Sequence, residues 1–150
     1  MPLNRDFLGR SSTSDRPYEV AREKIREFAD AIGDTHLVFR SREEAERMGY
    51  PDVIAPPTFA ILVTAGSAER LVFDPALGLE YRFVVHGEQR FVYERPIRAD
   101  DVLHTTSTIT AITEAGKNEI LQTETEIRDA DGALVCVSTN VIISRGTAAP

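Results

Sequence analysis

Apolar positions in the first third of the chain repeat with the period of an α-helix. From 21 to 32 they follow the i, i+3, i+4, i+7 spacing of one helical face. Gly33 follows at a position where helices commonly end. A second, shorter helix is predicted over 41–48, because Ser41 and Glu44 have capping-box spacing. The apolar face of the first helix is formed by Ile25, Phe28, Ala29 and Ile32.

An almost uncharged stretch predicts a central helix. Pro56 and Pro57 are favoured just before a helix and at its first position. From Phe59 onward the chain carries no charge until Glu69. Because no side of this segment is distinctly polar, we expect the helix to be buried all round.

From Tyr81 onward, β-branched and polar residues alternate as they do in strands. Strands are predicted over 83–85, 91–93, 102–113, 119–128 and 134–144. The Gly-containing links at 114–117 and 129–132 suit antiparallel hairpins. One apolar helix followed by long antiparallel strands predicts an α+β domain of the hot-dog type, in which the sheet wraps around the helix.

The length of 150 residues fits one domain, here 1–150 with a packed core over about 5–145. The tail, 145–150, is predicted to be solvated. A single helix-and-sheet layer leaves a sheet edge and a helix flank poorly covered. We therefore expect pairing with a second copy or with a related chain.

Charge and composition limit the kinds of molecule that this protein is expected to bind and the compartment in which it is expected to lie. The formal net charge of −7 argues against nucleic acid, which is gripped by clustered Lys and Arg. Cys136 is the single cysteine, so no intrachain disulfide forms, and a reducing cytoplasm is the expected location. The N-terminus has no apolar signal segment, and no stretch approaches the roughly 18 apolar residues of a membrane helix. Neither secretion nor membrane insertion is expected.

Metal and cofactor chemistry has no sequence support. The three His and one Cys are scattered without zinc-type spacing. No Gly-rich phosphate loop and no nucleophile elbow is present. We expect neither a metal nor a cofactor, although coenzyme A as a substrate carrier stays open.

The segment 33–39, Gly-Asp-Thr-His-Leu-Val-Phe, resembles the motif Gly-Asp-x-Asn-Pro-(aliphatic)-His of MaoC-like (R)-specific enoyl hydratases and 3-hydroxyacyl-thioester dehydratases. In that family the Asp and His hold a water and move protons as water adds across the α,β bond of a thioester. Asp34 matches the family Asp, but Phe39 stands at the position of the catalytic His. Since a positioned acid or base contributes about 10²–10⁴-fold in rate, the resemblance implies weak activity at best.

Two residues remain as candidate catalytic groups. Asp34 is either half of the family pair or a turn former whose carboxylate bonds nearby backbone N–H groups. His36 lies three residues before the position of the family His and is a candidate substitute for it.

The start of the central helix carries a second resemblance. Active family members resemble Ala-His-Gly-Met where this chain has Ala-Pro-Pro-Thr at 55–58. The family Gly N–H, thought to polarise the thioester carbonyl, is replaced by Pro57, which has no N–H. Loss of such a donor typically costs about 10²–10³-fold in turnover, whereas the helix N-terminus and the Thr58 N–H still favour binding. Pro57 and Thr58 are therefore predicted at the thioester end of the substrate, and Phe59, Ile61 and Leu62 beside its acyl chain.

A third resemblance covers 85–96. It begins with Val85 and the sequence His-Gly-Glu-Gln at 86–89. The segment is similar to the non-catalytic half of double hot-dog (R)-hydratases. It is also similar to small MaoC-like N-terminal dehydratase domains, which include the substrate-holding subunits of heterodimeric 3-hydroxyacyl-ACP dehydratases. His86 either lines the acyl pocket or bonds a backbone carbonyl. Gln89 alternates with Phe91 and Tyr93 and is a candidate hydrogen-bonding group toward a ligand or partner.

Together the resemblances imply a hot-dog protein that binds an acyl-CoA or acyl-carrier-protein thioester. We expect it to be the substrate-binding subunit beside a hot-dog chain that bears the complete Asp/His dyad. Two alternatives stay open. One is an active homodimeric hydro-lyase acting on enoyl-CoA or 3-hydroxyacyl thioesters, and the other is a non-catalytic acyl-CoA binding module.

Overall fold

The computed structural model describes residues 2–149, so Met1 and Pro150, the ends of the predicted domain, lie outside the described residues. A single antiparallel sheet and one long helix dominate this part of the chain. The strands are β1 (Ser11–Thr13), β2 (Tyr18–Glu19), β3 (Val84–Tyr93), β4 (Val102–Ala115), β5 (Asn118–Arg128) and β6 (Leu134–Ser144). The helices are α1 (Arg22–Ala31), α2 (Arg42–Arg47) and α3 (Ala60–Val72).

The sheet has the order β1-β4-β5-β6-β3, and β2 also pairs with β4. Consecutive long strands β4, β5 and β6 form a meander, and a tight turn with Gly116 at a φ of 62° joins the first two. Helix α3 packs across the inner face of this sheet, against β4 and β5. The predicted α+β hot-dog fold is confirmed.

Alternation along the strands builds the core. On β5, the inward positions include Leu121 and Ile127, which are fully buried, while the intervening residues are partly exposed. Ile127 packs with Phe59 and Val63 from the segment around α3, whereas Leu121 packs with Leu71 and Val72 near the end of this helix. The apolar contact between helix and sheet therefore fixes the start of α3 against the sheet.

The prediction for the central helix was wrong in two respects. The helix begins at Ala60 rather than at the prolines, because Pro56 to Phe59 form a turn in which the Phe59 N–H donates to the Pro56 carbonyl at 2.9 Å. The helix is also not buried all round, since Ile61 is 42% exposed and Glu69 is exposed. The sheet covers only one side of α3, so the other side faces solvent in a single chain.

The two shorter helices lie where they were predicted. Helix α1 is flanked by Ala21 and Ile32, and Ile25 and Ala29 on its apolar face are buried, although Ile32 is exposed. Helix α2 begins after Ser41, whose side chain accepts a hydrogen bond from the Glu44 N–H at 3.3 Å.

The strands predicted over 83–85 and 91–93 are parts of one strand. In β3 the pairing with β6 shifts register between His86 and Glu88, which marks a β-bulge at Gly87. A Cβ at Gly87 would lie 3.1 Å from Ile143 Cδ1 and 3.3 Å from the Val141 carbonyl oxygen. A side chain at this position would therefore be crowded by β6, and this Gly interrupts the alternation by which the sequence signals a strand.

Both ends of the described chain are held by one buried carboxylate. Glu119, fully buried on β5, accepts a hydrogen bond from the Leu3 N–H at 2.9 Å and another from the Thr147 hydroxyl at 2.9 Å. Leu3 and Thr147 are buried although they lie outside 5–145, and the predicted solvated tail is wrong at Thr147. No helix within residues 2–149 is long and apolar enough to cross a membrane.

Candidate functional site

A cavity of about 560 Å³ lies beside the N-terminal end of α3. We call it the candidate cavity. Three stretches that are far apart in sequence line it: the loop after α1, the segment before α3, and the end of β3 with the residues that follow. Its lining includes Asp34, His36, Phe39, Pro57, Tyr93 and Arg95. The structure thus brings together three of the residues predicted from sequence, Asp34, His36 and Pro57.

Asp34 lies directly after the Gly that ends α1. Gly33 adopts a φ of 73°, and the Asp34 N–H donates to the Ala29 carbonyl at 2.9 Å. The Asp34 Oδ1 atom accepts a hydrogen bond from the His36 N–H at 3.0 Å, which forms an Asx turn. The carboxylate therefore shapes this loop, while its Oδ2 atom has no hydrogen-bond partner within residues 2–149.

His36 caps the next turn. Its Nδ1 atom accepts a hydrogen bond from the Val38 N–H at 3.1 Å, at the start of the 3₁₀ turn Leu37–Phe39. Because Nδ1 is an acceptor there, the neutral ring carries its proton on Nε2. Within the described chain no hydrogen bond joins the imidazole to the Asp34 carboxylate. Each of these two side chains is thus bonded to the backbone and not to the other.

Phe39 occupies the position of the family His and is only 8% exposed. Its ring lines the candidate cavity and belongs to the hydrophobic core around α3. Its ring centroid lies 6.0 Å from that of His36. The wall therefore offers an apolar surface at the point where the family motif has its proton-transfer group.

Tyr93, the last residue of β3, lines the cavity beside the turn that precedes α3. Its hydroxyl donates a hydrogen bond to the Pro57 carbonyl oxygen at 2.5 Å. Burial raises the pKa of Tyr93 well above its usual value, the neighbouring Cys136 raises it further, and the Ala60 N–H opposes the shift. The phenol therefore stays protonated and acts as a donor near the helix start, where Pro57 itself supplies no N–H.

Cys136 on β6 lies next to this phenol. Burial raises the pKa of the Cys136 thiol to about 11, and hydrogen bonding to Tyr93 and to the Val92 backbone partly opposes that shift. A thiol with so high a pKa is protonated at neutral pH and is not a nucleophile there. Cys136 is therefore a structural residue behind the cavity wall.

The guanidinium of Arg95, which lines the cavity, already forms ion pairs within the chain. Arg95 donates to the Asp101 carboxylate at 2.8 and 3.0 Å and to Asp129 at 3.4 Å. The hydrogen bond to Asp101 is the main cause that raises the pKa of Arg95, and Asp129 adds to it. Because two carboxylates neutralise this guanidinium, it braces the loop after β3 and is not free to bind a phosphate.

Comparison with known proteins agrees with this geometry. The family model described as FAS1-like, dehydratase domain region matches residues 6–138. The chain belongs to this family. The UPF0336 protein Franean1_6066 of Parafrankia sp. (strain EAN1pec) is 49% identical over 150 residues, which cover 100% of this chain and 99% of that protein.

Solved structures place the family member among the MaoC-like hot-dog proteins. It is similar to a chain of the C-terminally truncated HadBC (3R-hydroxyacyl-ACP dehydratase) complex from Mycobacterium tuberculosis, with a TM-score of 0.81, 29% identity and coverage of 94% of this chain and 99% of that one. It is also similar to a longer protein described as a MaoC-like dehydratase, with a TM-score of 0.83 and 27% identity. The match covers 93% of this chain and 42% of that protein. The predicted MaoC-like resemblance is confirmed.

The remaining predicted site residues of this dehydratase-region protein lie outside the candidate cavity. Phe59 is fully buried and packs edge-on against the rings of Tyr18 and Phe28, while Thr58 is exposed beside Pro57. Leu62 lines a different cavity. Their roles in substrate binding stay predictions.

The two predicted residues of β3 are separated from the cavity along the strand. The His86 side chain is exposed. The Gln89 amide donates to the Ser138 hydroxyl at 2.8 Å and to the Thr139 carbonyl at 3.1 Å. Gln89 thus ties β3 to β6 within the chain, and its assignment to a ligand or partner is untested.

Several lining residues of the dehydratase-region protein were not singled out from sequence. Tyr93 and Arg95 reach the cavity through the register of β3 on β6, and Tyr50 and Ile54 reach it through the loop before α3. Sequence gives one signal for Tyr93, because it alternates with Gln89 and Phe91 and so shares the inner face of the sheet. The tertiary contact with Pro57 has no counterpart in local sequence.

Proposed function

We propose that this protein is the substrate-binding subunit of a (3R)-hydroxyacyl-thioester dehydratase or (R)-enoyl hydratase, with the Asp/His dyad carried by a hot-dog partner. The observation that carries the proposal is Phe39, a phenyl ring in the cavity wall where the family has its catalytic His. Such a wall binds an acyl group but transfers no proton. Loss of the N–H at Pro57 acts in the same direction.

The cavity suits the proposed ligand, an acyl thioester carried by coenzyme A or by a carrier protein. Its volume of about 560 Å³ is within the usual range of small-molecule sites. The polar groups of the lining that are left for a ligand include the Asp34 Oδ2 and His36 Nε2 atoms, together with the Glu94 carboxylate and the Tyr50 hydroxyl. The apolar part of the wall comes from Val38, Phe39, Met48, Tyr50, Ile54 and Ala55.

A free sheet edge supports the proposed partner. Within residues 2–149, β3 pairs with β6 only, so its other edge presents unpaired backbone groups. Val85 and Val92 on this strand are exposed apolar residues. A strand from a second hot-dog chain would continue the sheet here and cover both. The similar HadBC protein is itself a complex, which favours such an assembly.

One alternative has a specific observation in its favour. Asp34 and His36 both line the cavity, so an active homodimer in which they share the acid/base work is the second candidate. In this alternative His36 either loses the hydrogen bond that its Nδ1 atom accepts from the Val38 N–H, or transfers protons through its Nε2 atom while that bond stays in place.

The decisive experiment measures hydration of crotonyl-CoA by the purified chain, alone and after co-expression with a hot-dog chain that carries the intact motif. We expect negligible turnover alone and family-like turnover in the complex. Asp34→Asn in this chain, with the exposed Asp131→Asn as control, should reduce the turnover of the complex no more than a few-fold. Family-like turnover by the chain alone, lost in Asp34→Asn, would establish the homodimer instead. Ligand binding with no gain in activity from any partner would establish a binding module.

A further inference from the structure

A second cavity, of about 340 Å³, lies on the other flank of α3, between this helix, β4 and the segment that joins β1 to β2. We call it the flank cavity. It shares no lining residue with the candidate cavity. The buried ring of Phe59 packs against Tyr18, which lines the flank cavity, and so lies behind its wall. The flank cavity is therefore a separate feature of the molecule.

The flank cavity holds a buried hydroxyl without a hydrogen-bond partner. Thr105 on β4 is 2% exposed and lines this cavity, and its Oγ1 atom is unpaired within residues 2–149. Two residues along the same face, the Ser107 hydroxyl is bonded to Ser67 at 2.8 Å and to Thr125 at 2.6 Å. This sheet face thus satisfies its buried hydroxyls elsewhere. An unpaired buried hydroxyl is unfavourable, and Thr105 is one of the residues that line the cavity.

The walls of the flank cavity are divided into an apolar and a charged part. Leu62 and Val63 from α3 and Leu103 from β4 form the apolar part. Gly66 leaves it open toward the helix, since a Cβ at this position would meet nothing within 4 Å.

Two cationic residues, Arg16 and Arg70, are part of the lining. Arg70 is paired with Asp15, at 2.6 Å between Nη1 and Oδ1, whereas Arg16 makes no ion pair within the described residues. Arg16 is thus a lining cation without an ion-pair partner among these residues, in the same cavity as Thr105 and the apolar wall.

We propose that the flank cavity binds an aliphatic carboxylate, a fatty-acid anion of medium length. Its chain lies against Leu62, Val63 and Leu103. One carboxylate oxygen accepts a hydrogen bond from the Thr105 hydroxyl, and the negative charge faces Arg16. A charged acceptor satisfies the Thr105 hydroxyl more strongly than a neutral one does. This site does not depend on the function proposed above.

The test is calorimetric titration of the full chain with sodium octanoate below its micelle concentration, with octan-1-ol as the neutral analogue. Gly66→Leu fills the cavity from the helix and should weaken octanoate binding at least about 20-fold, since it removes apolar contacts as well as space. Thr105→Val, which keeps the shape and loses the hydroxyl, should weaken it about fivefold. Arg16→Gln should remove the preference for octanoate over octan-1-ol.

Controls separate binding from folding. Leucine has a higher helix propensity than glycine, so Gly66→Leu should melt at or above the temperature of the parent chain. Glu69→Leu adds the same side chain to the exposed side of α3, outside the cavity, and should leave octanoate binding unchanged. The proposal is overturned if octanoate does not bind the parent chain, or if it binds Gly66→Leu as tightly as the parent.

Discussion

The hydroxyl of Tyr93 lies 2.5 Å from the carbonyl oxygen of Pro57, so the last residue of β3 is bonded to the turn that precedes α3. Family members of the active type are thought to offer a substrate carbonyl a backbone N–H at the position of Pro57. Here a proline removes that N–H and a side chain of the protein itself binds the adjacent carbonyl. Both features stabilise the start of the helix, and under the proposed function they leave a substrate carbonyl without a backbone donor at this position.

Tyr93→Phe tests how much this hydrogen bond contributes to the free energy of unfolding. The variant loses one hydrogen bond and keeps the ring, so the free energy of unfolding should fall by about 1 kcal/mol. Tyr81→Phe is the matched control, because Tyr81 is 75% exposed, and should change stability by less than about 0.5 kcal/mol. Urea denaturation measures both. Equal effects of the two substitutions would show that the bond to Pro57 does not stabilise the fold.

Phe39→His tests which missing group limits catalysis. The substitution returns an imidazole to the cavity wall near Asp34, but the carbonyl-polarising donor stays absent at Pro57. Because that donor is typically worth about 10²–10³-fold, Phe39→His alone should hydrate crotonyl-CoA weakly. Phe39→His combined with Pro57→Gly should be at least about 10²-fold faster, with Phe39→Leu as the inert control. Full activity of the single variant would show that Pro57 does not limit turnover.

Two glycines give opposite predictions for the same chemical change. Gly87→Ala forces a Cβ to within 3.1 Å of Ile143 at the bulge, and crowding of this kind typically destabilises by about 1 to 3 kcal/mol. Gly66→Ala on α3 meets no neighbour within 4 Å, and should stabilise by about 0.5 to 1 kcal/mol because alanine favours the helix. Thermal denaturation of both variants decides. A stabilised Gly87→Ala would contradict the close approach of β3 to β6.

Glu119→Gln tests the carboxylate that holds both chain ends. The amide keeps the size of the side chain but loses the charge that accepts bonds from Leu3 and Thr147. Since hydrogen bonds to a charged group contribute about 1.5 to 3 kcal/mol, we expect a loss of about 2 kcal/mol and faster amide exchange at Leu3. Glu124→Gln, on the exposed face of the same strand, should be neutral. A neutral Glu119→Gln would mean that the chain ends are held by apolar packing alone.

We expect ionisation of the Cys136 thiol to make the free energy of unfolding depend on pH in the alkaline range. Burial raises the pKa of its thiol in the folded chain to about 11, from an ordinary 9.0. The unfolded chain therefore releases this proton first, and the free energy of unfolding falls as pH rises from 9 towards 11. Tyr93 and Tyr18, whose pKa values burial also raises above the ordinary 10.0, act in the same direction. Their contribution grows mainly above pH 10, so the thiol has its largest share of the fall between pH 9 and 10. Denaturation of Cys136→Ala should show a shallower fall there, and an unchanged slope would contradict this assignment.

The sequence predicts the fold well because its strongest signals are local. The helical spacing of Ile25 and Ala29 and the alternation along β5 depend only on neighbouring residues and on one buried face. The bulge at Gly87 was not predicted, since close approach to Ile143 is a contact between distant parts of the chain. Burial of α3 was overestimated because its sequence does not show that the sheet covers only one side.

The candidate site was predicted in part. Asp34, His36 and Pro57 converge as motif matching suggests, because each belongs to a short segment whose order along the chain carries the resemblance. Tyr93 could not be found in that way, because its role depends on the strand register that brings it to Pro57. The turn-forming role of Asp34, one of two roles left open by the sequence, is visible in its bond to the His36 N–H.

The free edge of β3 has a thermodynamic consequence. A chain that pairs with this edge binds the folded state and not the unfolded one, so mass action adds to the apparent stability as partner concentration rises. The thermal midpoint of the protein would then depend on how much of the partner is present. Dilution series with and without a candidate subunit thus give the affinity of the assembly from melting curves alone.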